Sequence, residues 1–539
     1  MSYSQQLPGS DLVLARSAGR PAAAGEALLR RGLLLAYAAQ GRWPWLGTQL
    51  RRSVLLVWWT CTLQIHTHLR QWLRARCRPA KTPAANDPLL LDAPAAHSIS
   101  VPCAPRPRVS VIVPTFGKVE FTLRCLASIA AHPPVAAIEV IVVDDAFPGP
   151  ETACLRNVAG IRLLRNQANL GYLRACNNAA LQASGEYLLF LNNDTQVQPG
   201  WLDSMLEIFA THGAVGAVGS QLLSPDGRLQ EAGGIIWRDG SGWNYGRGDD
   251  PTRPQYNYVR EVDYCSGASM MVPRMLFQRI SGFDERYAPA YYEDTDLCFR
   301  LRALGLKTMY QPRSRVVHFD GVSHGRDPSA GVKAFQEENR KTFLRIWPHI
   351  LARENFENGI QVMRARDRAA RRSMALVIDH KMPEADRDAG SRAILCVIRA
   401  LQADGMVVKF WPANLQYVPK YTEALQDMGV EVFYGPDQAP LAAWLREHGS
   451  TLDLVVLSRP DVAEHSLDAV QASSSARIVY YGHDLHHRRM AMQAKVTGDL
   501  PLLLEAQRME QRERSIWRRV DRVLYLSEEE AAEVRAVVP

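Results

Sequence analysis

Acidic and amide side chains follow directly after two apolar runs of the chain. The run IEVIVV ends in Asp144 and Asp145, and the run YLLFL ends in Asn192, Asn193 and Asp194. Such short, unbroken runs are typical of strands buried in a parallel sheet, and ligands bind outside the carboxyl ends of those strands. Carboxylates there can accept hydrogen bonds from a pyrimidine or a ribose, or hold Mg²⁺ or Mn²⁺ on a diphosphate. A plain turn is the alternative at 192–194, because Asn and Asp are common turn residues.

A third acidic cluster opens the segment EDTDLCFRLRALG. Glu293, Asp294 and Asp296 stand at its start, after two tyrosines, and leucines continue at helical spacing. Favourable charge at a helix amino terminus accounts for one or two of these acids. Crowded like charges raise the pKa of one carboxyl, so the cluster can also supply a base. A nucleotide-sugar is one ligand that would use the first two clusters.

The elements that must position these residues begin at residue 109. From there, short runs rich in Val, Ile and Leu alternate with stretches that can be helical. This alternation predicts an α/β fold with a doubly wound parallel sheet. The residues between 166 and 185 predict a helix that is closed by Gly185.

Length and charge set the wider frame. At 539 residues the chain predicts two or three domains. The net charge of +7 comes from residues 1–108, which carry 14 Lys and Arg against 4 Asp and Glu. The nine cysteines include no CxxC pair, which favours free thiols in a reducing compartment over disulfides or a zinc ribbon. The start of the chain lacks a secretory signal, so we predict a cytoplasmic protein.

A short apolar segment near the amino terminus suggests contact with a membrane. Ser53–Ile65 is shorter than the roughly 20 residues that a spanning helix needs. It contains Trp58 and Trp59 and is flanked by arginines, which suits a helix lying peripherally on the anionic inner membrane. A buried helix of a small amino-terminal domain fits equally well. The Pro- and Ala-rich stretch that follows predicts a linker up to residue 108.

The motifs taken in order resemble a known family. VSVIVPTFGKVEFTLRCLASI, EVIVVDDA, NLGYLRACNNAA, YLLFLNNDT, CSGASMMVPR, SGFDERY, YYEDTDLCFRLRALG and VVHFDGVSHG follow one another as in bacterial family 2 glycosyltransferases of the GT-A fold. The subgroup they resemble is the rhamnosyltransferase-like enzymes of O-antigen and related polysaccharide assembly. The resemblance covers about residues 109–325 and is specific because it combines many ordered motifs.

The resemblance implies roles for individual residues. The catalytic residues implied are Asp294 and Glu293, with Asp294 as the general base of an inverting transfer. Asp194 would bind Mg²⁺ or Mn²⁺, and His318 would complete the metal shell, although a lone histidine is also often structural. The donor-binding residues implied are Pro114, Thr115, Asp144, Asn169, Gly171, Asn192, Asn193, Gly267 and Ala268.

Two departures from the family pattern qualify this prediction. Asn192 stands where the family's DXD motif has its first acid, which leaves Asp194 as the only carboxylate of the motif and predicts modest metal affinity. The processive QxxRW signature is also missing, so a single addition is expected rather than polymerisation.

A second α/β pattern begins after a basic connector. Strand-like runs from MALVID to RVLYLSE alternate with helical stretches, and they resemble more loosely the acceptor-side half of a family 4 GT-B glycosyltransferase. Because the chain stops at Pro539, we expect either a part of a longer two-enzyme polypeptide or a half domain for acceptor handling or docking. The cluster GHDLHHRR fits a strand-end loop, and a metal site is the weaker alternative.

The predicted domains are a basic helical segment with its linker (1–108), a GT-A domain (109–345), a helical linker (346–373) and a partial GT-B-like Rossmann domain (374–539). We predict an inverting, metal-dependent sugar transferase that uses a UDP-, dTDP- or GDP-sugar and a glycan or lipid-linked acceptor. No nucleic-acid partner is expected. A nucleotidyltransferase and a non-catalytic scaffold of polysaccharide assembly are the alternatives.

Overall fold

A computed structural model describes residues 87–320 and 335–538. The predicted amino-terminal helix and the segment Ser53–Ile65 therefore lie outside the described residues. The chain divides into two compact units, one of which is Lys81–Val479, while Tyr480–Pro539 belongs to the other. Within the described ranges, no helix combines the length and apolar character needed to cross a bilayer.

Ten strands of Lys81–Val479 form one sheet in the order β10-β12-β6-β11-β4-β1-β2-β3, with β5 paired to β12 and β7 paired to β6. A separate hairpin consists of β8 and β9. The strands are β1 (Val109–Thr115), β2 (Ile138–Asp144), β3 (Ile161–Arg165), β4 (Tyr187–Leu191), β5 (Thr195–Val197), β6 (Val215–Leu223), β7 (Leu229–Glu231), β8 (Gly234–Ile236), β9 (Gly242–Asn244), β10 (Arg260–Glu261), β11 (Ser269–Pro273) and β12 (Lys307–His318).

The predicted α/β fold class is confirmed, but the sheet is mixed rather than wholly parallel. Strands β1 to β4 are parallel neighbours. Strand β11 lies antiparallel between β4 and β6. The residues that lead into it, just before Ser269, form a loop instead of a crossover helix. A strand that enters antiparallel needs no crossover helix, which is why the alternation of runs did not reveal this strand.

Helices cover both faces of this sheet. One core contains residues of α1 and α3, and the other contains residues of α2, α5 and α6. This arrangement explains why every residue of β1, β2 and β4 is buried. The helices of this unit are α1 (Val119–Ala131), α2 (Gly171–Gln182), α3 (Asp203–Thr211), α4 (Arg274–Arg279), α5 (Glu293–Ala303), α6 (Phe335–Ile346), α7 (Pro348–Glu354), α8 (Val362–Arg366), α9 (Ala389–Ala403), α10 (Pro419–Asp427), α11 (Leu441–His448) and α12 (Pro460–Ser473).

Gly185 does not close α2, contrary to the prediction. The helix ends at Gln182, and Ala183 is already extended. A Cβ atom on Gly185 would lie 2.6 Å from the backbone nitrogen of Ser110. The glycine therefore serves the close approach of the chain to β1.

A second sheet follows in the same unit. Strands β13 (Met374–Asp379), β14 (Val407–Pro412), β15 (Glu431–Val432) and β16 (Leu454–Ser458) run in the order β15-β14-β13-β16, and each neighbouring pair among them is parallel. The next strand is β17 (Arg477–Tyr481). This order reverses at β13, as in a Rossmann-like sheet. Its assignment as a GT-B acceptor half stays a prediction.

Buried charges join the connector to both sheets of Lys81–Val479. The Lys409 ammonium on β14 lies 2.9 Å from Asp367 and also contacts Glu431. Arg366 contacts the same Glu431 at 2.6 Å, and the Tyr258 hydroxyl next to β10 donates to Asp367. The connector is helical only in α7 and α8, so part of the predicted helical linker consists of turns.

The residues Tyr480–Pro539 include α13 (His486–Thr497), α14 (Leu500–Trp517), β18 (Arg522–Leu524) and α15 (Glu528–Val537). Buried Glu513 accepts hydrogen bonds from the backbone N–H groups of His486 and His487. His487 also contacts Glu513 at 2.6 Å and Glu533 at 3.0 Å. In the ranges described, no group of three or more His, Cys, Asp or Glu side chains is placed to hold a metal ion. The cluster GHDLHHRR is thus built into ion pairs at the start of a helix.

Candidate active site

The residues after β4 form a tight turn at the rim of the sheet. Asn193 uses its amide nitrogen inside the protein, 3.3 Å from Thr115 Oγ1 and 3.1 Å from Thr122 Oγ1. A turn, the alternative for residues 192–194, is therefore present, and the Asn193 side chain fixes it against β1 and α1. The predicted donor role of Asn193 stays a prediction, and its observed contacts are to β1 and α1.

Asp194 and His318, the two residues that the sequence predicts as metal ligands, lie next to each other. Pairing of β5 with β12 places Thr195 opposite His318, whose Nε2 lies 3.3 Å from Asp194 Oδ1. Burial would lower the pKa of His318, but Asp194 raises it above its ordinary value. Asn192 Nδ2 lies 3.5 Å from His318 Nε2, and its Oδ1 is buried without a hydrogen-bond partner in the described chain.

Asp144 borders a cleft at the end of the neighbouring strand. The register of β1 with β2 places Thr115 opposite Asp144, with Pro114 one residue earlier. Asp144 Oδ2 lies 2.5 Å from Arg165 Nη1, and both residues line a cavity of about 220 Å³. A carboxylate and a guanidinium at this rim provide acceptors and donors for a planar, polar ligand.

Asp145 has a different role from Asp144. It accepts hydrogen bonds from the backbone N–H groups of Leu170 and Gly171, at 3.0 Å and 2.8 Å. Asn169 Oδ1 accepts from the same Gly171 N–H at 3.1 Å. Asp145 thus holds the start of α2, since a carboxylate satisfies free N–H groups at a helix amino terminus. Gly171 thus contacts Asp145 rather than Asp144, and Asn169 contacts Gly171, while the predicted donor roles of Asn169 and Gly171 stay predictions.

The acidic pair Glu293 and Asp294 starts α5 after a strained turn. Tyr291 and Tyr292 adopt positive φ angles of 74° and 69°, which residues with a Cβ rarely do. Asn339 Nδ2 on α6 lies 3.0 Å from the Tyr291 carbonyl oxygen and 2.9 Å from two earlier carbonyls of the same loop. A side chain from another helix thereby helps to hold the strained turn that presents the pair.

The two carboxyls of this pair have different surroundings. Asp294 accepts from the N–H of Gly267 at 3.0 Å and the N–H of Thr295 at 2.6 Å. Glu293 Oε2 is buried and has no hydrogen-bond partner among the described residues. Burial raises the pKa of both groups, and the hydrogen bonds oppose the rise for Asp294. A single negative charge on the pair is therefore expected to reside on Asp294, with the proton on Glu293.

The third acid of the cluster is structural. Asp296 Oδ2 pairs with Arg300 at 2.6 Å, and its Oδ1 accepts from Trp347 Nε1 at 2.9 Å. This carboxylate is fully buried and joins α5 to the start of α7. Part of the acidic crowding in the sequence thus serves packing rather than chemistry.

One loop connects the two predicted halves of the site. The N–H of Gly267 donates to Asp294, and the carbonyl of Ala268 accepts from the N–H of Asn192 at 3.0 Å. The preceding N–H, that of Ser266, donates to Glu231 at 3.1 Å. Three consecutive residues therefore contact the predicted base Asp294, the turn that carries Asp194, and a further acid, Glu231.

Sequence reasoning missed Glu231, Arg165 and the supporting residue Gln230, whose Oε1 lies 3.2 Å from His318 Nδ1. Their partners are more than ten residues away in sequence, so local patterns carry little information about them. The only local signal is the string QEAGG, in which an acid precedes two glycines.

The sequence of this chain matches one family model and several known proteins. The family model described as Glycosyl transferase family 2 matches residues 110–280. O-antigen biosynthesis protein RfbC of Myxococcus xanthus is 32% identical over 244 residues, which are 44% of this chain and 19% of that protein. N-acetylglucosaminyl-diphospho-decaprenol L-rhamnosyltransferase of Mycobacterium tuberculosis is 30% identical over 234 residues, which are 38% of this chain and 74% of that protein.

Among solved structures, GalNAc-T7 with UDP, GalNAc and Mn²⁺ aligns with a TM-score of 0.36 at 15% identity, covering 45% of this chain and 48% of that one. The chain thus spans about a fifth of the Myxococcus relative and about half of GalNAc-T7.

Proposed function

The chain belongs to glycosyl transferase family 2, and from this premise we propose that it transfers one sugar, with inversion, from a nucleotide-sugar to a glycan or lipid-linked acceptor. The observation that carries the proposal is the loop Ser266–Ala268. It contacts Asp294 on one side and the turn before Asp194 on the other. A transfer needs a base for the acceptor and a site for the departing diphosphate around one sugar, and this loop lies between the two.

The proposed reaction is a single displacement. The acceptor oxygen bonds to the anomeric carbon while the bond from that carbon to the diphosphate oxygen breaks, and Asp294 takes the acceptor proton. Asp294 suits this role because its two backbone hydrogen bonds favour the ionised form that a base requires. The nucleoside would bind at Asp144 and Arg165, where the cleft is open.

Asn192, Asp194 and His318 would hold a divalent cation. Asn192 supplies a buried oxygen without a hydrogen-bond partner in the described chain, Asp194 a carboxylate and His318 an imidazole. This donor set, completed by phosphate oxygens and water, suits Mg²⁺ or Mn²⁺. When bound there, such an ion would neutralise charge on the leaving diphosphate.

Removal of divalent cations is expected to abolish nucleoside diphosphate release, and added Mn²⁺ or Mg²⁺ should restore it. Asp194→Asn should raise the metal concentration needed for half-maximal activity at least about tenfold, because the motif keeps no other carboxylate. The measurement is a metal titration of chelated enzyme, with exposed Asp226→Asn as the control. Full activity in excess chelator would contradict the metal proposal.

The setting we propose is the assembly of a cell-surface polysaccharide of the O-antigen type. The O-antigen biosynthesis protein of Myxococcus and the decaprenol-linked rhamnosyltransferase of Mycobacterium support a polysaccharide or a lipid-linked acceptor. The direct experiment is a panel of UDP-, dTDP- and GDP-sugars, with product release scored with and without acceptor. A nucleotidyltransferase would instead release pyrophosphate from a nucleoside triphosphate, and a scaffold would release nothing.

We also propose that the basic amino-terminal segment holds the enzyme peripherally at the inner membrane. The support is sequence alone, namely the apolar Ser53–Ile65 with its tryptophans and flanking arginines. Deleting residues 1–80 should lower the membrane-bound fraction in sedimentation with anionic vesicles. An unchanged fraction would remove this part of the proposal.

A further inference from the structure

Glu231 is a buried acid that the proposed reaction leaves without a role. It is the last residue of β7, it pairs with Leu222 of β6, and only 1% of its surface is exposed. Acidic side chains are seldom buried unless they are paired. Its position within the ten-stranded sheet fixes its backbone.

The two oxygens of the Glu231 carboxyl differ. Oε1 accepts the N–H of Ser266 at 3.1 Å. Oε2 is closed to solvent and has no hydrogen-bond partner in the described parts of the chain. A buried polar atom of this kind is unfavourable in the free protein, and a ligand group that pairs with it recovers the lost hydrogen bond.

The charged groups that act on Glu231 belong to both halves of the site. They are Asp294 on α5, His318 on β12 and Arg247 after β9. The first belongs to the proposed base side and the second to the proposed diphosphate side. The transferred sugar must lie between the base and the diphosphate. The charges of Asp294 and His318, one from each side, both act on the Glu231 carboxyl.

We propose that Glu231 binds a hydroxyl group of the transferred sugar through Oε2, and so acts as a specificity residue. This inference rests on the proposed function. A sugar hydroxyl both donates and accepts, so it can pair with either protonation state of the carboxyl. Burial raises the pKa of Glu231 to about 7, and the hydrogen bond from Ser266 opposes the rise, so a proton is available on Oε2 near neutral pH.

The competing explanation is that Glu231 only supports the loop through Oε1. Glu231→Gln keeps an oxygen for Ser266 and an N–H group that can bind a hydroxyl, so both explanations predict an active variant. Glu231→Leu removes both contacts, and both explanations predict that this variant is slower. Activity on the normal donor alone therefore does not separate them, whereas donors lacking single hydroxyls do.

The experiment measures kcat/KM with the working nucleotide-sugar and with a series in which one sugar hydroxyl at a time is replaced by hydrogen. Wild type and Glu231→Gln should each lose at least tenfold on one and the same deoxy donor. For Glu231→Leu, kcat/KM with the normal donor should be at least tenfold below that of wild type. Its kcat/KM with that deoxy donor should then lie within twofold of its own value with the normal donor. Glu207→Leu, at an exposed glutamate of α3, should match wild type throughout.

Two results would overturn the inference. One is that wild type uses every deoxy donor within threefold of the normal one, which needs no variant to fold. The other is that Glu231→Leu shows the same loss on the critical deoxy donor as wild type, which is the loop-support result. If wild type releases no diphosphate from any nucleotide-sugar, the proposed function itself fails, which is a distinct outcome.

Discussion

Asp294→Asn is expected to lower kcat by about 10²- to 10⁴-fold, the usual contribution of a general base. The amide keeps the shape of the side chain and can still accept the hydrogen bond from Gly267. What it loses is the ability to take the acceptor proton. Donor binding should change little, because the nucleoside is proposed to bind at Asp144 and the diphosphate at Asp194.

Glu293→Gln provides the matched control for this prediction. Glu293 is expected to hold the proton of the pair, since its Oε2 is buried without a hydrogen-bond partner within the described ranges. An amide resembles the protonated acid, so this variant should keep most of the activity. The measurements are kcat for diphosphate release and donor affinity by calorimetry, for both variants.

The pH profile gives a second check on the same pair. Burial raises the pKa of Asp294, so the base takes up a proton at a higher pH than an ordinary aspartate does as the pH falls. Activity should therefore decline on the acidic side above the usual aspartate range, and Asp294→Asn should flatten that limb. If Glu293→Gln lost activity and Asp294→Asn kept it, Glu293 would be the base and Asp294 the group that holds the proton. Unchanged activity in both would contradict the assignment of the base.

The sequence was informative where a residue's role follows from its place at a strand end. Asp144 and Asp194 could be placed at one rim because the apolar runs before them are short and unbroken. The start of α5 was equally readable, because acids preceded a helical pattern. These features depend on neighbours within a few residues.

Other roles could not be predicted because they depend on contacts between distant residues. Asp144 and Asp145 look equivalent in sequence, yet only Asp145 receives the N–H groups of α2. Asp296 looks like part of the acidic site, yet it bonds Trp347 across the core. Glu231 lies in no motif, and only the folded loop at Ser266 brings it to the site.

Lys409→Met is expected to destabilise the protein by about 3–5 kcal/mol, the usual effect of removing one partner from a buried ion pair. Lys409 is fully buried, and its ammonium serves both Asp367 and Glu431. Without it, Glu431 keeps its ion pair with Arg366 and Asp367 keeps the hydrogen bond from Tyr258, but both buried carboxylates lose the ammonium that they share. A loss of this size corresponds to a fall in melting temperature on the order of 10 °C.

Lys420→Met is the matched control, because Lys420 is an exposed lysine that also pairs with an aspartate, Asp386. Its substitution should leave the melting temperature unchanged. A double variant, Lys409→Met with Glu431→Gln, removes one charge of each sign and should recover part of the loss. Calorimetric scans of the four proteins measure these differences. Equal melting temperatures for wild type and Lys409→Met would contradict the prediction.

Acid titration tests the same network by an independent route. Burial alone would raise the pKa of Asp367, but Lys409 and Arg366 lower it from 3.8 to about 2. A carboxyl whose pKa is lowered on folding contributes stability that is complete above its unfolded pKa and is lost as the pH falls through the folded one. The contribution should therefore persist down to about pH 4 and disappear towards pH 2. In Lys409→Met the pKa of Asp367 should rise, because the ammonium that lowers it is gone. Protonation of Asp367, and the loss of stability that accompanies it, should therefore begin at a higher pH than in wild type.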